Sequence, residues 1–232
     1  MFTTEVRVAA LFSGGKDSTF SIYRAKEMGH DVECLICMNP SADDSLFFHY
    51  PNIWITELQA KCMQIPSFQF FIEKRSMKSE LEGLENAIKE VKASQNIQAI
   101  VHGAISSEFQ EHVFNRICRN NGLVSIAPLW KAQSLEYMRD LVMKFEIKIV
   151  SISAMGLEPS WLGKTLDKIS VNVLHTLSKK NGFNLNFEGG EAETLVLDCP
   201  LFQKRLEVRN ANVIWDGQRG IFEILEVALL QK

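Results

Sequence analysis

Two stretches of the chain combine residue types that can do chemistry: Ser13-Gly14-Gly15-Lys16-Asp17-Ser18 and Glu188-Gly189-Gly190-Glu191-Ala192-Glu193-Thr194. In the first, adjacent glycines remove the Cβ atoms that hold a ligand off the backbone, and they permit positive φ. Successive N–H groups in such a turn form an anion-binding nest, and a helix beginning behind it adds unpaired N–H groups and the positive end of its dipole. Ser13 and Ser18 offer hydroxyl donors, and Lys16 brings a full positive charge. Phosphate would repel Asp17 unless that carboxylate faces a cation, so Asp17 is expected to ligate Mg²⁺ directly or through water. The string is not G-x-x-x-x-G-K-[ST], because its glycines are adjacent and Asp follows Lys. A turn whose Ser or Asp merely caps a helix is the plainer reading.

In the second stretch, Glu188, Glu191 and Glu193 lie within six residues, around a Gly-Gly pair that lets the backbone turn sharply. Such a cluster can hold ammonium, take a proton from it as it becomes a nucleophile, or help bind Mg²⁺. A solvated acidic turn leading into a strand is the alternative.

The elements that must position these residues can be read from hydrophobic spacing. Apolar runs predict strands over 6–12, 32–38, 68–73 and 97–102, and helical patterns cover 18–28, 54–64 and 79–93. The alternation argues for an α/β fold, a parallel sheet flanked by helices. Ligands bind beyond the carboxyl ends of such strands, so Phe12 to Ser18 and Gly103 to Gln110 are expected to share one crevice. Beyond Asn121-Gly122 come strands at 124–127 and 147–153 and helices at 135–145 and 166–179. Strands at 194–197, 205–215 and 220–229 follow, the last two joined by a turn at Asp216-Gly217-Gln218-Arg219-Gly220. A boundary near Pro128 to Lys131 predicts a nucleotide-binding domain over 1–128 and a smaller, closely packed α/β substrate and catalytic part over 129–232.

Composition narrows the classes. With 46% hydrophobic residues, 23% charged and a net charge of −3, the profile is that of an ordinary folded chain, not a disordered or fibrous one. The slightly acidic balance argues against a general nucleic-acid binder. No signal peptide and no apolar run of about 18 residues is present, so no membrane partner is expected and the expected address is the cytoplasm. The five cysteines are expected to be reduced thiols. Cys34 and Cys37 form a C-x-x-C, but they lie inside an apolar run and no second pair completes a zinc site, so buried small hydrophobes account for them. His30, His49, His102, His112 and His175 show no local metal spacing, and His102 is expected to pack or cap. Trp130 is read as a buried aromatic before a base-stacking one. Nothing in the sequence speaks to oligomeric state.

The string Ser13 to Ser18 matches the S-G-G-x-D-S loop of the PP-loop ATP pyrophosphatases, which resemble this chain also in the Rossmann-like nucleotide-binding architecture of the first half. That resemblance implies cleavage of ATP between its α- and β-phosphates, with Ser13, Gly14, Gly15, Lys16, Asp17 and Ser18 at the nucleotide and Lys16 and Asp17 taking part in catalysis. Further segments in order are Glu82-Gly83-Leu84, Gly103-Ala104-Ile105-Ser106-Ser107-Glu108-Phe109-Gln110, Ala127-Pro128-Leu129-Trp130 and Glu188 to Thr194 running on to Phe202. This series is similar to the diphthine–ammonia ligases over nearly the whole chain. In that family the carboxyl of diphthine, a modified histidine on elongation factor 2, is activated as an acyl-adenylate. Ammonia then gives diphthamide, AMP and pyrophosphate. The resemblance implies ATP and Mg²⁺ as cofactors, elongation factor 2 and ammonium as partners, catalytic roles for Glu188, Glu191 and Glu193, and substrate contacts from Gly103, Ser107, Glu108, Gln110, Gly189 and Gly190. The two halves account for most of the 232 residues, so free ammonium is the expected nitrogen source.

The chain departs from the family pattern at Glu111, His112 and Val113, where basic residues are common. It departs again at Phe187 and Ala192, where the acidic motif usually has Gly and an aromatic. Two other readings carry different expectations. A tRNA-modifying thiolase would need reactive cysteine pairs and a basic surface. A nucleotide sensor would keep the glycines but tolerate loss of the three glutamates.

Overall fold

The computed structural model describes residues 5–40, 52–72 and 76–232. The chain divides into two compact units, Met1–Trp130 and Lys131–Lys232.

In the first unit β1 (Arg7–Leu11), α1 (Lys16–Glu27), β2 (Asp31–Pro40), α2 (Ile55–Met63) and β3 (Ser67–Ile72) follow one another. Then come α3 (Met77–Gln95), β4 (Ala99–Val101), α4 (Glu108–Asn120) and β5 (Val124–Ile126). The sheet order is β3-β2-β1-β4-β5, and every pairing is parallel. The apolar runs exist because both faces of this sheet are covered. Ala9, Leu11, Cys34, Ile36 and Met38 join one core with Leu84, Ile88 and Val91 of α3 and Val113, Phe114, Ile117 and Cys118 of α4. The order reverses between β1 and β4, which places a switch point at their carboxyl ends.

Helix α4 has no counterpart among the helical patterns read from the sequence. Its buried residues Val113, Phe114, Ile117 and Cys118 recur at helical spacing, so the signal was present. Val113, one of the departures from the family pattern, is among these core residues. Asn39 and Pro40 extend the strand expected at 32–38 and complete β2, and the polar stretch 41–51 lies outside the described residues. Glu73, at the end of the expected third strand, also lies outside them.

The second unit contains α5 (Ser134–Lys144), β6 (Glu146–Ile152), α6 (Lys168–Asn181), β7 (Ala192–Asp198), β8 (Lys204–Trp215) and β9 (Gly220–Gln231). Its sheet has the order β7-β6-β9-β8 and is antiparallel in all its pairings. Helix α6 begins with a capping box between Asp167 and Ser170 and ends at Gly182 with φ +78°. The β8–β9 turn is held by Asp216, whose carboxylate accepts the N–H groups of Gln218 at 2.8 Å and Arg219 at 2.7 Å. A short 3₁₀ turn, Pro159–Trp161, was not anticipated.

Candidate functional site

The turn after β1 carries the first candidate site. Gly14 has φ +76°, a conformation glycine takes without strain. Gly15, with extended backbone, precedes α1 and has no side chain with which to cap that helix. The two serines instead brace the turn. Ser13 Oγ lies 3.1 Å from Ser18 Oγ, and Ser18 Oγ donates to the Gly15 carbonyl at 3.1 Å. Thr19 Oγ1 donates to the same carbonyl at 2.8 Å.

Lys16, only 2% exposed, donates its ammonium to the Asp17 carboxylate at 2.8 Å, and that carboxylate is 25% exposed. The pair therefore presents a partly open acid beside a buried cation. Among the described residues no three His, Cys, Asp or Glu side chains gather to hold a metal ion. This donor set fits Mg²⁺ bound through one carboxylate and a nucleotide's own phosphates, as Mg²⁺ commonly is.

The end of β4 and the start of α1, expected to share one crevice, lie against each other at Gly103. A Cβ on Gly103 would lie 2.8 Å from the Asp17 carbonyl carbon and 2.9 Å from the Ser18 nitrogen. Gly103 is thus the residue that lets the end of β4 touch the start of α1. Ser107 caps α4, accepting the Gln110 N–H at 3.3 Å, while Glu108 is the exposed first residue of that helix. Glu111 accepts from Asn115 on the same helix.

Gln59 of α2 is a residue the sequence reading missed. Its Nε2 donates to the Gly14 carbonyl at 2.9 Å from 45 positions away in the chain. A Cβ on Gly14 would strike the Gln59 side chain. No local pattern announces this contact.

His102 closes β4 as a packed residue. Its Nε2 is 2.9 Å from Ser125 Oγ, its ring centre is 4.5 Å from that of Phe114, and burial pushes its pKa down to about 4. Trp130 is partly buried against the first unit's core. All five cysteines are free and buried. Burial pushes the thiols of Cys34, Cys37 and Cys199 up to about 12 and that of Cys118 up to about 11.

In the second unit the acidic stretch is a tight loop entering β7. Phe187, buried, has φ +62°, and Gly190 has φ +80°. The family's glycine preference at position 187 has its reason here, since a left-handed backbone strains any residue with a Cβ. The Glu191 carboxylate accepts the Asn184 N–H at 2.9 Å and the Gly189 N–H at 2.8 Å. Its carbonyl accepts the N–H groups of Ser153 and Ala154 at 2.9 and 3.1 Å, and Ser153 Oγ donates to the Gly190 carbonyl at 2.6 Å. Glu193 pairs with Ser151 across the β6–β7 ladder. Glu188 and Glu193 are both half-buried.

Comparison with known proteins gives concordant findings. Residues 6–125 match the family described as diphthamide synthase N-terminal domain, and residues 133–230 match diphthamide synthase C-terminal domain. The chain is 32% identical over 228 residues to the human protein named diphthine–ammonia ligase, covering 90% of this chain and 85% of that protein. The zebrafish protein of the same name is 30% identical over 87% of this chain and 86% of its own length. The fission yeast protein of that name is 32% identical over 90% of this chain and 37% of its own length. A solved structure, a predicted subunit of tRNA methyltransferase from Methanocaldococcus jannaschii, has a TM-score of 0.47. At 15% identity over 84% of this chain and 98% of that one, the likeness is too low to bear on activity.

Proposed function

The chain belongs to the diphthamide synthase family, and from that premise we propose that it is a carbon–nitrogen ligase converting diphthine on elongation factor 2 to diphthamide with ATP and ammonium. A diphthine carboxylate oxygen attacks the α-phosphorus, the α–β phosphoanhydride bond breaks, and pyrophosphate leaves. Ammonium gives up a proton, and the ammonia formed attacks the acyl carbon; the nitrogen loses a second proton and AMP departs with the bonding electrons of the acyl–oxygen bond.

The observation that carries the reading is the strain-free glycine turn at the β1/β4 switch point, with Lys16 and Asp17 at the head of α1. The backbone N–H groups of the turn and of the first turn of α1 hold the phosphates. Lys16 offsets the repulsion between two anions that must approach each other. Asp17, with the phosphates, would hold Mg²⁺, which would supply further neutralisation. Gly103 keeps the end of β4 against this turn, and Glu108 and Gln110 lie at the start of the helix that follows it. Glu188, Glu191 and Glu193 are the carboxylates proposed to serve the nitrogen nucleophile. A tRNA thiolase is disfavoured because its cysteines would need to be accessible thiolates, and these are buried thiols.

The test is pyrophosphate release from Mg-ATP with diphthine-bearing elongation factor 2 and ammonium added singly and together. Release that requires the factor, with conversion of acid to amide when ammonium is present, is expected. ATP bound and never cleaved would point to a sensor, and cleavage that depends on another acceptor would discard the diphthine assignment.

A further inference from the structure

The three glutamates of the acidic loop are not equivalent. Glu191 turns both carboxylate oxygens into its own loop, one onto the Asn184 N–H at 2.9 Å and the other onto the Gly189 N–H at 2.8 Å. The two amides lie on either side of Phe187, whose backbone is left-handed at φ +62°, and of Glu188. Charge-assisted bonds of this kind are among the stronger ones available to a backbone amide. They offset the strain of a bulky residue held at positive φ. The Glu191 backbone is itself fixed, since its carbonyl accepts two N–H groups from Ser153 and Ala154. Gly189 leaves room for the carboxylate: a Cβ there would lie 2.9 Å from Glu191 Oε1.

We infer that Glu191 is a positioning residue, which clamps the Asn184 and Gly189 amides and so fixes the backbone carrying Glu188, and that it does not exchange a proton with the nitrogen nucleophile. The inference rests on the ligase reading above. A proton acceptor must offer a lone pair to the nucleophile at hydrogen-bond distance. Glu191 commits a lone pair of each oxygen to the chain, which holds both oxygens within the loop and favours Glu188 and Glu193 for proton transfer.

The test compares Glu191→Gln, Glu188→Gln and Gly189→Ala with the wild-type chain. Glutamine at 191 can accept one of the two amides but presents a donor to the other. Hydrogen exchange at Asn184 and Gly189 is expected to speed up by about ten-fold or more in Glu191→Gln, while Glu188→Gln leaves it unchanged. Pyrophosphate release in a single turnover should stay within about three-fold of wild type and amide formation fall about 100-fold, the size of a misplacement effect. The ammonium pH profile should keep its wild-type inflections. Hydroxylamine, largely unprotonated at neutral pH, should restore no activity. Gly189→Ala keeps the Glu191 charge while crowding its carboxylate, and it should show the same split between the two half-reactions. Recovery with hydroxylamine, loss of an inflection, or unchanged exchange at both amides would overturn the inference. A wild-type chain that makes no amide would instead fail the ligase reading, and the exchange comparison would still decide the clamp.

Discussion

Lys16 occupies the first position of α1 with almost no exposure, bonded to Asp17 at 2.8 Å. In the proposed site, a buried cation beside the phosphates would act with little solvent screening, and its worth would be greatest where charge develops. Lys16→Ala and Asp17→Ala should each lower pyrophosphate release by about two powers of ten or more. Near-normal turnover in either would remove the assigned role. Phe187 poses a different question, because two opposing terms meet at one residue. Its ring is buried, which favours it, and its backbone sits at φ +62°, which does not. Phe187→Ala loses the ring and keeps the strain, while Phe187→Gly loses the ring and relieves it. Urea denaturation should therefore find the glycine variant more stable than the alanine variant by about 1 kcal/mol. Equal stabilities would mean that the left-handed backbone costs nothing here. His102 sets an acid limit. Burial holds its folded pKa near 4, against an ordinary 6.5, so the neutral ring contributes its full stability above pH 6.5. That contribution is lost as pH falls from 6.5 toward 4, to a maximum on the order of 3 kcal/mol. His102→Gln should flatten the decline of the denaturation midpoint across this window. An unchanged slope would place the acid sensitivity elsewhere.

At the scale of elements, the glycine turn after β1 depends on elements that do not contain it. Gln59 reaches from α2 to the Gly14 carbonyl, and Gly103 brings the end of β4 against the backbone of Asp17 and Ser18. Replacing Gln59 by Leu leaves a buried carbonyl without that donor, a loss of about 1–3 kcal/mol. Part of it should appear as roughly ten-fold weaker ATP binding by calorimetry, since the loosened turn is the binding surface. Affinity equal to wild type would show that the turn holds its shape without α2. The acidic loop is organised in the same manner by β6 and the chain before it, through Ser153, Ala154 and Asn184. Neither loop is a free-standing motif.

For the molecule as a whole, the five cysteines report on the integrity of the fold. All are buried, and four have thiols pushed far above neutral pH by that burial. Thiolate is the reactive form, so alkylation of the folded protein should be negligible at pH 7 and should follow the unfolded fraction as denaturant is raised. Rapid labelling of Cys34 or Cys37 under native conditions would reopen a redox reading of the C-x-x-C. Among the described residues no helix is long and apolar enough to cross a membrane.

What the sequence determined by itself is what short-range pattern encodes. The strand runs of the first unit, the adjacent glycines before α1, the acidic stretch and the parallel α/β architecture all follow from the period of apolar residues and from the conformational freedom of glycine. So does the neutral reading of Cys34 and Cys37, because burial of that run was implied by its hydrophobicity. The switch point between β1 and β4 was legible only as an expectation that two strand ends share a crevice. Tertiary structure decided the rest. Gln59, Gly103 and the Ser125 partner of His102 act across 45, 86 and 23 positions of chain, and hydrogen bonds over such separations leave no local trace. It also separated the three glutamates, which are alike in sequence. Only the path of the backbone through Phe187 turns the carboxylate of Glu191 onto its own amides, and a path is set by what packs around it.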